Sequence, residues 1–178
     1  MSESQDQRAA PAAQPTSPEA LLERLGALGI ETRTVSHPPL FTVEQSKALR
    51  GQLPGGHTKN LFLRDKKGRM WLVTCLEDRT IDLKALEGAL GSGRLSFGSA
   101  ERLMTYLGVV PGAVTPFAVV NDRDGEVRFV LDSGLLDHDP LNFHPLDNAR
   151  TTAISPAGLL KFLEAAGHPP QLLDLGRL

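Results

Sequence analysis

Residues 59–76 read KNLFLRDKKGRMWLVTCL, and this stretch decides the fold. Two apolar runs, 59–65 and 69–76, are joined by the short turn Lys66-Lys67-Gly68, which is the pattern of a β-hairpin. In the second run both alternating sets of side chains are largely apolar, and this indicates a central strand covered on both faces. Cys75 on that strand is therefore predicted to be a buried small hydrophobe rather than a nucleophile.

Helical and strand-like segments surround the hairpin. Capping residues, glycine stops and apolar spacing predict helices at 18–28, 43–49, 82–90, 99–107 and from 156 to about 167. Short apolar or β-branched runs predict further strands at 31–36, 117–120, 126–131, 141–144 and 151–154. Thr42 is expected to cap the second helix. Because several strands are joined by tight turns, the predicted fold class is α/β (α+β mixed), with a mixed, largely antiparallel central sheet surrounded by helices.

The composition fits one globular domain with a tail. Residues 1–17 are rich in Ser, Gln, Ala and Pro and are expected to be disordered, which leaves 18–178 as a single domain. Only one cysteine is present, so no internal disulfide can form, and a single thiol fits a reducing compartment such as the cytoplasm. No apolar run approaches the roughly 18 residues of a membrane span, and no secretory signal is expected.

The charge is unevenly distributed along the chain. The net charge of −2 argues against broad nonspecific binding to nucleic acid. Residues 47–79, however, carry eight basic and three acidic residues, which is a local net charge of +5. A basic face on an acidic body fits one specific anionic partner, although the basic turn at 66–69 could also serve solubility alone.

Lys59 carries the clearest functional signal. It lies where a glycine-rich segment, Gly55-Gly56, passes into the first strand of the hairpin. Glycine lets the backbone approach a ligand closely, and a lysine held by the sheet can reach a phosphate or a carboxylate as a point charge. A lone lysine is more often simply solvated, so the inference depends on two further segments, residues 112–117 and 142–145.

The usual catalytic templates are missing from the sequence. It contains no nucleophile elbow, phosphate loop or dinucleotide fingerprint, and no histidine has a partner at zinc spacing. A site would therefore be built from loops. Residues 112–116 could present backbone N–H and C=O groups that steady a developing oxyanion, or they could form an ordinary Pro-Gly turn. His144 could be a base, a hydrogen-bonding group or a satisfied residue at a strand end.

Three separated motifs, GHTKNLFLRDKK at 56–67, GAVTPF at 112–117 and LNFHP at 141–145, together resemble the YbaK/ProX family. This family contains the free-standing relatives of the editing domain that is inserted in bacterial prolyl-tRNA synthetase. The likeness covers roughly residues 18–175 and is greatest to the branch called ProXp-ala, or PrdX. Three motifs in the same order are far more specific than any one of them alone.

The resemblance implies a trans-editing deacylase that hydrolyses alanine mischarged onto proline tRNA, with no metal and no cofactor. By the resemblance, Lys59, Gly112 and His144 are catalytic, and Lys59 contacts the phosphate and terminal adenosine of the acceptor end. The substrate-binding residues that it implies are Asn60, Ala113, Val114, Thr115, Pro116 and Phe117. The ribose 2′-OH is expected to help organise the attacking water.

The resemblance also implies the partners. They are mischarged tRNA and, in some settings, prolyl-tRNA synthetase, while no membrane partner is expected. Two alternatives stay open at this point. One is a deacylase for another small amino acid, cysteine or serine, and the other is a non-catalytic module that binds the acceptor end of tRNA.

Overall fold

The structure is a computed structural model that describes residues 14–39, 43–51 and 53–178. Its helices are α1 (Pro18–Ala27), α2 (Val43–Arg50), α3 (Leu83–Leu90), α4 (Ala100–Leu107) and α5 (Pro156–Ala165). Its strands are β1 (Thr32–Ser36), β2 (Gly56–Arg64), β3 (Met70–Leu76), β4 (Ser96–Phe97), β5 (Val127–Asp132), β6 (Leu141–Phe143), β7 (Arg150–Ile154) and β8 (Gln171–Leu173). Short 3-10 helices lie at Pro116–Asn121, Ser133–Asp137 and Leu175–Arg177.

The predicted hairpin is confirmed. β2 and β3 pair antiparallel, with Lys59 opposite Cys75 and Arg64 opposite Met70. All residues of β3 except Leu76 are buried, so both faces of this strand are covered, as its apolar pattern predicts. Burial raises the pKa of the Cys75 thiol to about 11. The thiol is therefore protonated at neutral pH and is a poor nucleophile, as predicted.

The sheet is mixed, as predicted, in the order β1-β7-β6-β2-β3-β5-β8, with β4 paired to β2. Among the described strands four pairings are antiparallel, and three are parallel: β2 with β6, β3 with β5, and β5 with β8. β2 and β6 meet through two residue pairs, Gly56 with Leu141 and His57 with Asn142. Beyond these pairs the two strands part, which leaves an opening near the middle of the sheet.

Helices cover both faces of the sheet. The larger core cluster joins α1, α4, α5 and the first 3-10 helix to the face that carries Phe62. The smaller cluster packs Leu86 of α3 against the opposite face, which carries Leu63. Because successive side chains of a strand point to opposite faces, Lys59 falls on the Leu63 face and Asn60 on the Phe62 face.

The strand predicted at 117–120 is wrong. This segment lies in the 3-10 helix Pro116–Asn121, and the Thr115 hydroxyl caps it by accepting a hydrogen bond from the Phe117 amide at 3.4 Å. Proline has a fixed φ and no N–H, so it fits the first position of a helix. Every residue from 116 to 120 is buried. A short apolar run that is buried all round has no period that distinguishes a strand from a helix.

The other predicted elements are present, with ends shifted by no more than three residues. Side-chain oxygens cap four helices; the capping residues are Ser17, Asp82, Ser99 and Ser155. Thr42, the predicted cap of α2, lies outside the described residues. The strands β4 and β8, of two and three residues, were not predicted.

The segment just before α1 is held to the body of the domain by a hydrogen bond. The amide of Thr16 donates a hydrogen bond to the side chain of Asn121 at 2.9 Å. Residues 1–13 of the segment predicted to be disordered lie outside the described residues. None of the helices in the described ranges combines the length and apolar character needed to cross a bilayer.

Candidate functional site

A small cavity lies where β2 and β6 part. Its volume is about 110 Å³, which is room for several water molecules. The polar residues that line it are His57, Thr58, Asn60, Asn142, His144 and Thr151. Leu49, Leu53 and Phe143 form an apolar part of the wall. Glu77 is the only acidic residue in the described lining, and no Lys or Arg belongs to that lining.

Asn60 connects the cavity to the loop predicted to handle the substrate. Its side-chain amide donates a hydrogen bond to the Val114 carbonyl at 3.1 Å. Its carbonyl oxygen accepts a hydrogen bond from the Thr74 hydroxyl at 2.6 Å, so the amide cannot rotate freely. Asn60 therefore ties residue 114 to the central hairpin, which makes it a positioning residue as well as part of the wall.

The loop at 112–116 is shaped by its backbone. Gly112 has a φ of +91°, a region that side chains with a Cβ rarely adopt. The Ala113 amide bonds the Val110 carbonyl at 3.1 Å, and Ala113, Thr115 and Pro116 are buried. Of the six predicted substrate-binding residues, the structure places Asn60 in the cavity wall and brings the Val114 carbonyl to it. The remaining four hold the loop and the start of the 3-10 helix.

His144 lines the cavity, and its hydrogen bonds define its tautomer. Nδ1 lies 3.1 Å from the carbonyl of Arg150, and since a carbonyl can only accept, Nδ1 carries the proton. Burial is the main cause that lowers the pKa of His144 from its usual value, with a further contribution from nearby His37. The ring is therefore neutral at neutral pH. Its Nε2, which has no hydrogen-bond partner among the described residues, is a proton acceptor.

Lys59 does not line this cavity. Thr58 and Asn60 on either side of it do, because side chains alternate along β2. The Lys59 ammonium instead donates a short hydrogen bond to the backbone carbonyl of Arg79. The sequence led us to expect Lys59, Gly112 and His144 around one cavity. In the described lining His144 is present, whereas Gly112 and Lys59 are not, and the roles of these two residues stay predictions.

Two grooves flank the cavity. The first, called here the β7 groove, has a volume of about 880 Å³ and shares Leu53, Asn142 and Thr151 with the cavity. The second, called the Arg79 groove, has a volume of about 400 Å³ and shares His57 and Glu77 with it. Because the Lys59 ammonium is bonded to the carbonyl of a residue in the Arg79 groove, it lies beside that groove.

Sequence reasoning assigned no role to Asn142 or Thr151. The Asn142 side-chain amide donates to the carbonyls of Pro54 and Gly56, at 3.0 and 3.2 Å, and so holds the segment that leads into β2. The Thr151 hydroxyl lies 2.8 Å from Nε2 of His37. The motif around His144 contains Asn142 and could have indicated it. Thr151 carries no sequence signal, because its place in the wall depends on the pairing of β7 with β6.

The described residues contain no cluster of three or more His, Cys, Asp or Glu side chains that could hold a metal ion. The polar groups of the cavity are spaced around its wall, and several of them are bonded to backbone carbonyls. What the arrangement can do chemically is hold a small polar group and accept protons from it. This is the type of site that positions a substrate and a water molecule.

Residues 37–162, more than half of the chain, match the family described as the aminoacyl-tRNA editing domain. The chain belongs to this family. The match contains every residue of the cavity wall, and it confirms the resemblance inferred from the three motifs.

Similar proteins match this editing domain over nearly their full length. Prolyl-tRNA synthetase associated domain-containing protein 1 of Mus musculus is 45% identical over 159 residues, which are 86% of this chain and 94% of the mouse protein. The prolyl-tRNA editing protein ProX of Acetoanaerobium sticklandii is 38% identical over 158 residues, 88% of this chain and 96% of that protein.

A solved structure supports the fold of the editing domain. A protein proposed to be a trans-editing enzyme for prolyl-tRNA synthetase has a TM-score of 0.67 to this structure. The superposition covers 94% of this chain and 98% of that chain. At 19% sequence identity the likeness concerns the fold alone.

Proposed function

We propose that the protein is a trans-editing deacylase that hydrolyses the ester of alanine mischarged onto proline tRNA. The observation that carries this proposal is the cavity of about 110 Å³ in a member of the aminoacyl-tRNA editing family. The names of the mouse and bacterial relatives support proline tRNA as the carrier. Mischarged tRNA is thus the proposed partner, in the cytoplasm and either with or without prolyl-tRNA synthetase.

The size of the cavity supports a small amino acid. A binding pocket separates side chains that differ by one methylene by only about 1–3 kcal/mol, so a synthetase needs a second site that hydrolyses small wrong products. Alanine is smaller than proline and enters a synthetase site built for proline. A cavity with room for a few atoms beside the apolar residues Leu49, Leu53 and Phe143 suits the alanine methyl group.

The chemistry requires a placed water and an acceptor for its proton. The water oxygen bonds to the ester carbonyl carbon, the bond from that carbon to the ribose oxygen breaks, and the water proton ends on the ribose oxygen. Nε2 of neutral His144 is the proposed acceptor that holds the water through a hydrogen bond. Backbone N–H groups of the loop at 112–116 are the proposed donors to the oxyanion, and the ribose 2′-OH assists.

Lys59 has a different proposed role. Its ammonium lies beside the Arg79 groove, which shares His57 and Glu77 with the cavity, and its proposed ligand there is a phosphate of the acceptor end. We expect Lys59→Ala to remove deacylation while the melting temperature changes little, and Lys67→Ala in the exposed turn to serve as the matched control. Wild-type turnover by the Lys59 variant would exclude this lysine from the mechanism.

The proposal is tested with proline tRNA charged with alanine, cysteine, serine or proline. The purified protein should release alanine fastest, above the rate in buffer, and leave the proline ester intact. Faster release of cysteine or serine would show that the proposed amino acid is wrong and the proposed reaction is right. Binding of the tRNA without hydrolysis of any ester would instead show a module that binds the acceptor end.

A further inference from the structure

We propose that Arg79 and Asp132 are positioning residues for Lys59, because their ion pair fixes the backbone carbonyl that holds the Lys59 ammonium beside the Arg79 groove. This inference rests on the proposed function, which takes Lys59 as the cation that meets a phosphate of the acceptor end. The contacts that carry it lead from a buried carboxylate, through an arginine, to the lysine.

Asp132 is the fixed end of these contacts. It is the last residue of β5 and is fully buried. Its Oδ1 accepts a hydrogen bond from the Gly134 amide at 3.2 Å. Its Oδ2 accepts from the Leu76 amide at 3.4 Å and from Nε of Arg79 at 3.0 Å. A buried carboxylate that has three donors around it stays where it is, since any other place would leave its charge without partners.

These bonds hold both ends of the segment 76–79. Leu76 and Arg79 donate to the same carboxylate oxygen, and the Arg79 amide also donates to the Leu76 carbonyl at 3.1 Å. Residues 77–79 follow β3 and belong to no helix or strand. The position of the Arg79 backbone therefore depends on the bond between its own side chain and Asp132.

The guanidinium of Arg79 is also closely packed. A Cβ added at Gly176 would lie 2.5 Å from Nη1, and a Cβ added at Gly134 would lie 2.5 Å from Nη2. The guanidinium thus fits against two residues that have no side chain, and about a third of the Arg79 side chain, 30%, stays exposed. Packing as well as charge holds this group in one place, which is what a positioning residue requires.

The last contact joins Arg79 to Lys59. The Arg79 carbonyl accepts a short hydrogen bond from the Lys59 ammonium. An ammonium has three donors, so this bond fixes the direction of the side chain and leaves two donors for a phosphate oxygen. A long lysine side chain loses rotamer freedom when it is held, and here that loss occurs on folding. It therefore does not weaken the later binding of a ligand.

The NMR signal of the Lys59 ammonium gives the first test. Arg79→Gln should shift this signal, which is assigned by its loss in Lys59→Ala. Arg69→Gln is the matched control, because Nε of Arg69 bonds the buried Asp65 at 2.9 Å in the same way, beyond the far end of β2. The control should lose a similar amount of thermal stability and leave the Lys59 signal unmoved. A Lys59 signal that is the same in Arg79→Gln and in wild type would overturn the inference.

Binding of uncharged proline tRNA separates positioning from direct contact. Loss of one phosphate contact lowers the slope of log K against log salt concentration by about 0.7–0.9. We expect Lys59→Ala and Arg79→Gln each to show this change, and the double variant to show it only once, because both act through one ammonium. A change twice as large in the double variant would show that Arg79 itself meets a phosphate. That result, or an unchanged slope in Arg79→Gln, would overturn the inference.

Kinetics with proline tRNA carrying alanine tests the effect on the reaction. Arg79→Gln should lower kcat/KM about tenfold, chiefly through a higher KM, because the lysine keeps its charge and loses its fixed position. Arg69→Gln should match wild type, and equal losses in the two variants would assign Arg79 to stability alone.

Failure of the proposed function has a different result. If the wild-type protein hydrolyses no ester, the deacylase is wrong, and the Lys59 signal and the salt dependence still decide whether Arg79 positions the ammonium. If Lys59→Ala binds the tRNA with the wild-type salt slope, Lys59 meets no phosphate, and the inference is overturned with that role.

Discussion

Asn60 is the residue on which the shape of the site depends most directly. It bonds the Val114 carbonyl with its amide and accepts from Thr74 with its oxygen, so both ends of the side chain are used. A substitution that changes a single atom of this side chain therefore alters the position of the loop at 112–116.

Asn60→Asp should lower activity by at least tenfold, because a carboxylate oxygen would face the Val114 carbonyl with no proton between them. The lost hydrogen bond costs roughly 1–3 kcal/mol, and the loop is displaced as a result. Asn121→Asp is a matched control: Asn121 bonds the Leu107 carbonyl and the Thr16 amide in the same way but remote from the cavity. The measurement is kcat/KM beside the melting temperature. Equal activity of the two variants would show that the Asn60 bond has no part in the reaction.

His144 gives a prediction for pH. Its pKa is lowered chiefly by burial, and its surroundings include His37, Asp147, the Arg150 carbonyl and the cavity residues His57 and Glu77. The acceptor Nε2 is present above the lowered pKa and lost as the pH falls through it. We expect kcat/KM to decline on acidification with a midpoint below 6.5, the ordinary histidine value. In His144→Gln that decline should disappear; its persistence would assign it to another group.

The positions of Lys59 and Asn60 show what the sequence could and could not predict about the site. Adjacent residues of a strand point to opposite faces, so only one of the two could face the loop. The sequence predicts the strand well. Which face receives the loop depends on how the 3-10 helix and α5 pack, and no local pattern in the sequence contains that information.

At the scale of the elements, predictions were right where capping chemistry or alternation is strong. The hairpin β2–β3 and the capped helices have such signals. The prediction for segment 117–120 was wrong because a fully buried strand and a fully buried 3-10 helix give the same run of apolar residues. β6 pairs with β2, which lies far away along the chain, so the cavity between β2 and β6 was not predictable from local sequence.

The loop between α4 and the first 3-10 helix gives the prediction at this scale. Gly112→Ala should reduce turnover more than stability, because the added Cβ meets nothing closer than Asn148 at 4.0 Å and the cost is the φ of +91°. That strain is about 1–2 kcal/mol and is relieved by moving the loop. Gly125→Ala is the control, with a φ of +66° and open space around it, in the turn before β5. The Gly125 variant should lose a similar amount of stability and keep full activity. Equal losses of activity in the two variants would show that Gly112 has a structural role only.

At the scale of the whole molecule, a buried ion pair joins two segments that are 46 residues apart along the chain. Nδ1 of His168 faces the Ala166 carbonyl at 2.9 Å, and Nε2 faces Asp122 at 2.8 Å. The same Asp122 oxygen accepts the Val127 amide at 2.8 Å. Both ring nitrogens must donate, so His168 is a cation. It connects the segment after α5 to the turn before β5.

This pair predicts how stability depends on pH. The bond to Asp122 is the main cause that raises the pKa of His168, so its contribution is complete below about 6.5 and is lost as the pH rises through the raised value. Burial opposes ionisation of Asp122, but the bonds to His168 and two amides lower its pKa overall. We expect His168→Gln to cost about 3 kcal/mol near pH 6, since it leaves a buried carboxylate without its partner.

Urea unfolding between pH 5 and pH 9 measures this effect. The difference in unfolding free energy between wild type and His168→Gln should shrink toward alkaline pH. A difference that stays constant over the whole range would mean that the ring is held without a charge. Arg177→Gln offers a control, because its pair with Asp174 at 3.0 Å is exposed and should contribute less than about 1 kcal/mol.

The brief ladder between β2 and β6 has a consequence for how the site can change. Because only two residue pairs join β2 to β6, the opening between these strands begins where their backbone pairing ends. Truncating a single side chain of the cavity wall will therefore deepen the cavity locally without widening it. Admitting a bulkier acyl group would require β2 and β6 to separate further, which alters many contacts at once.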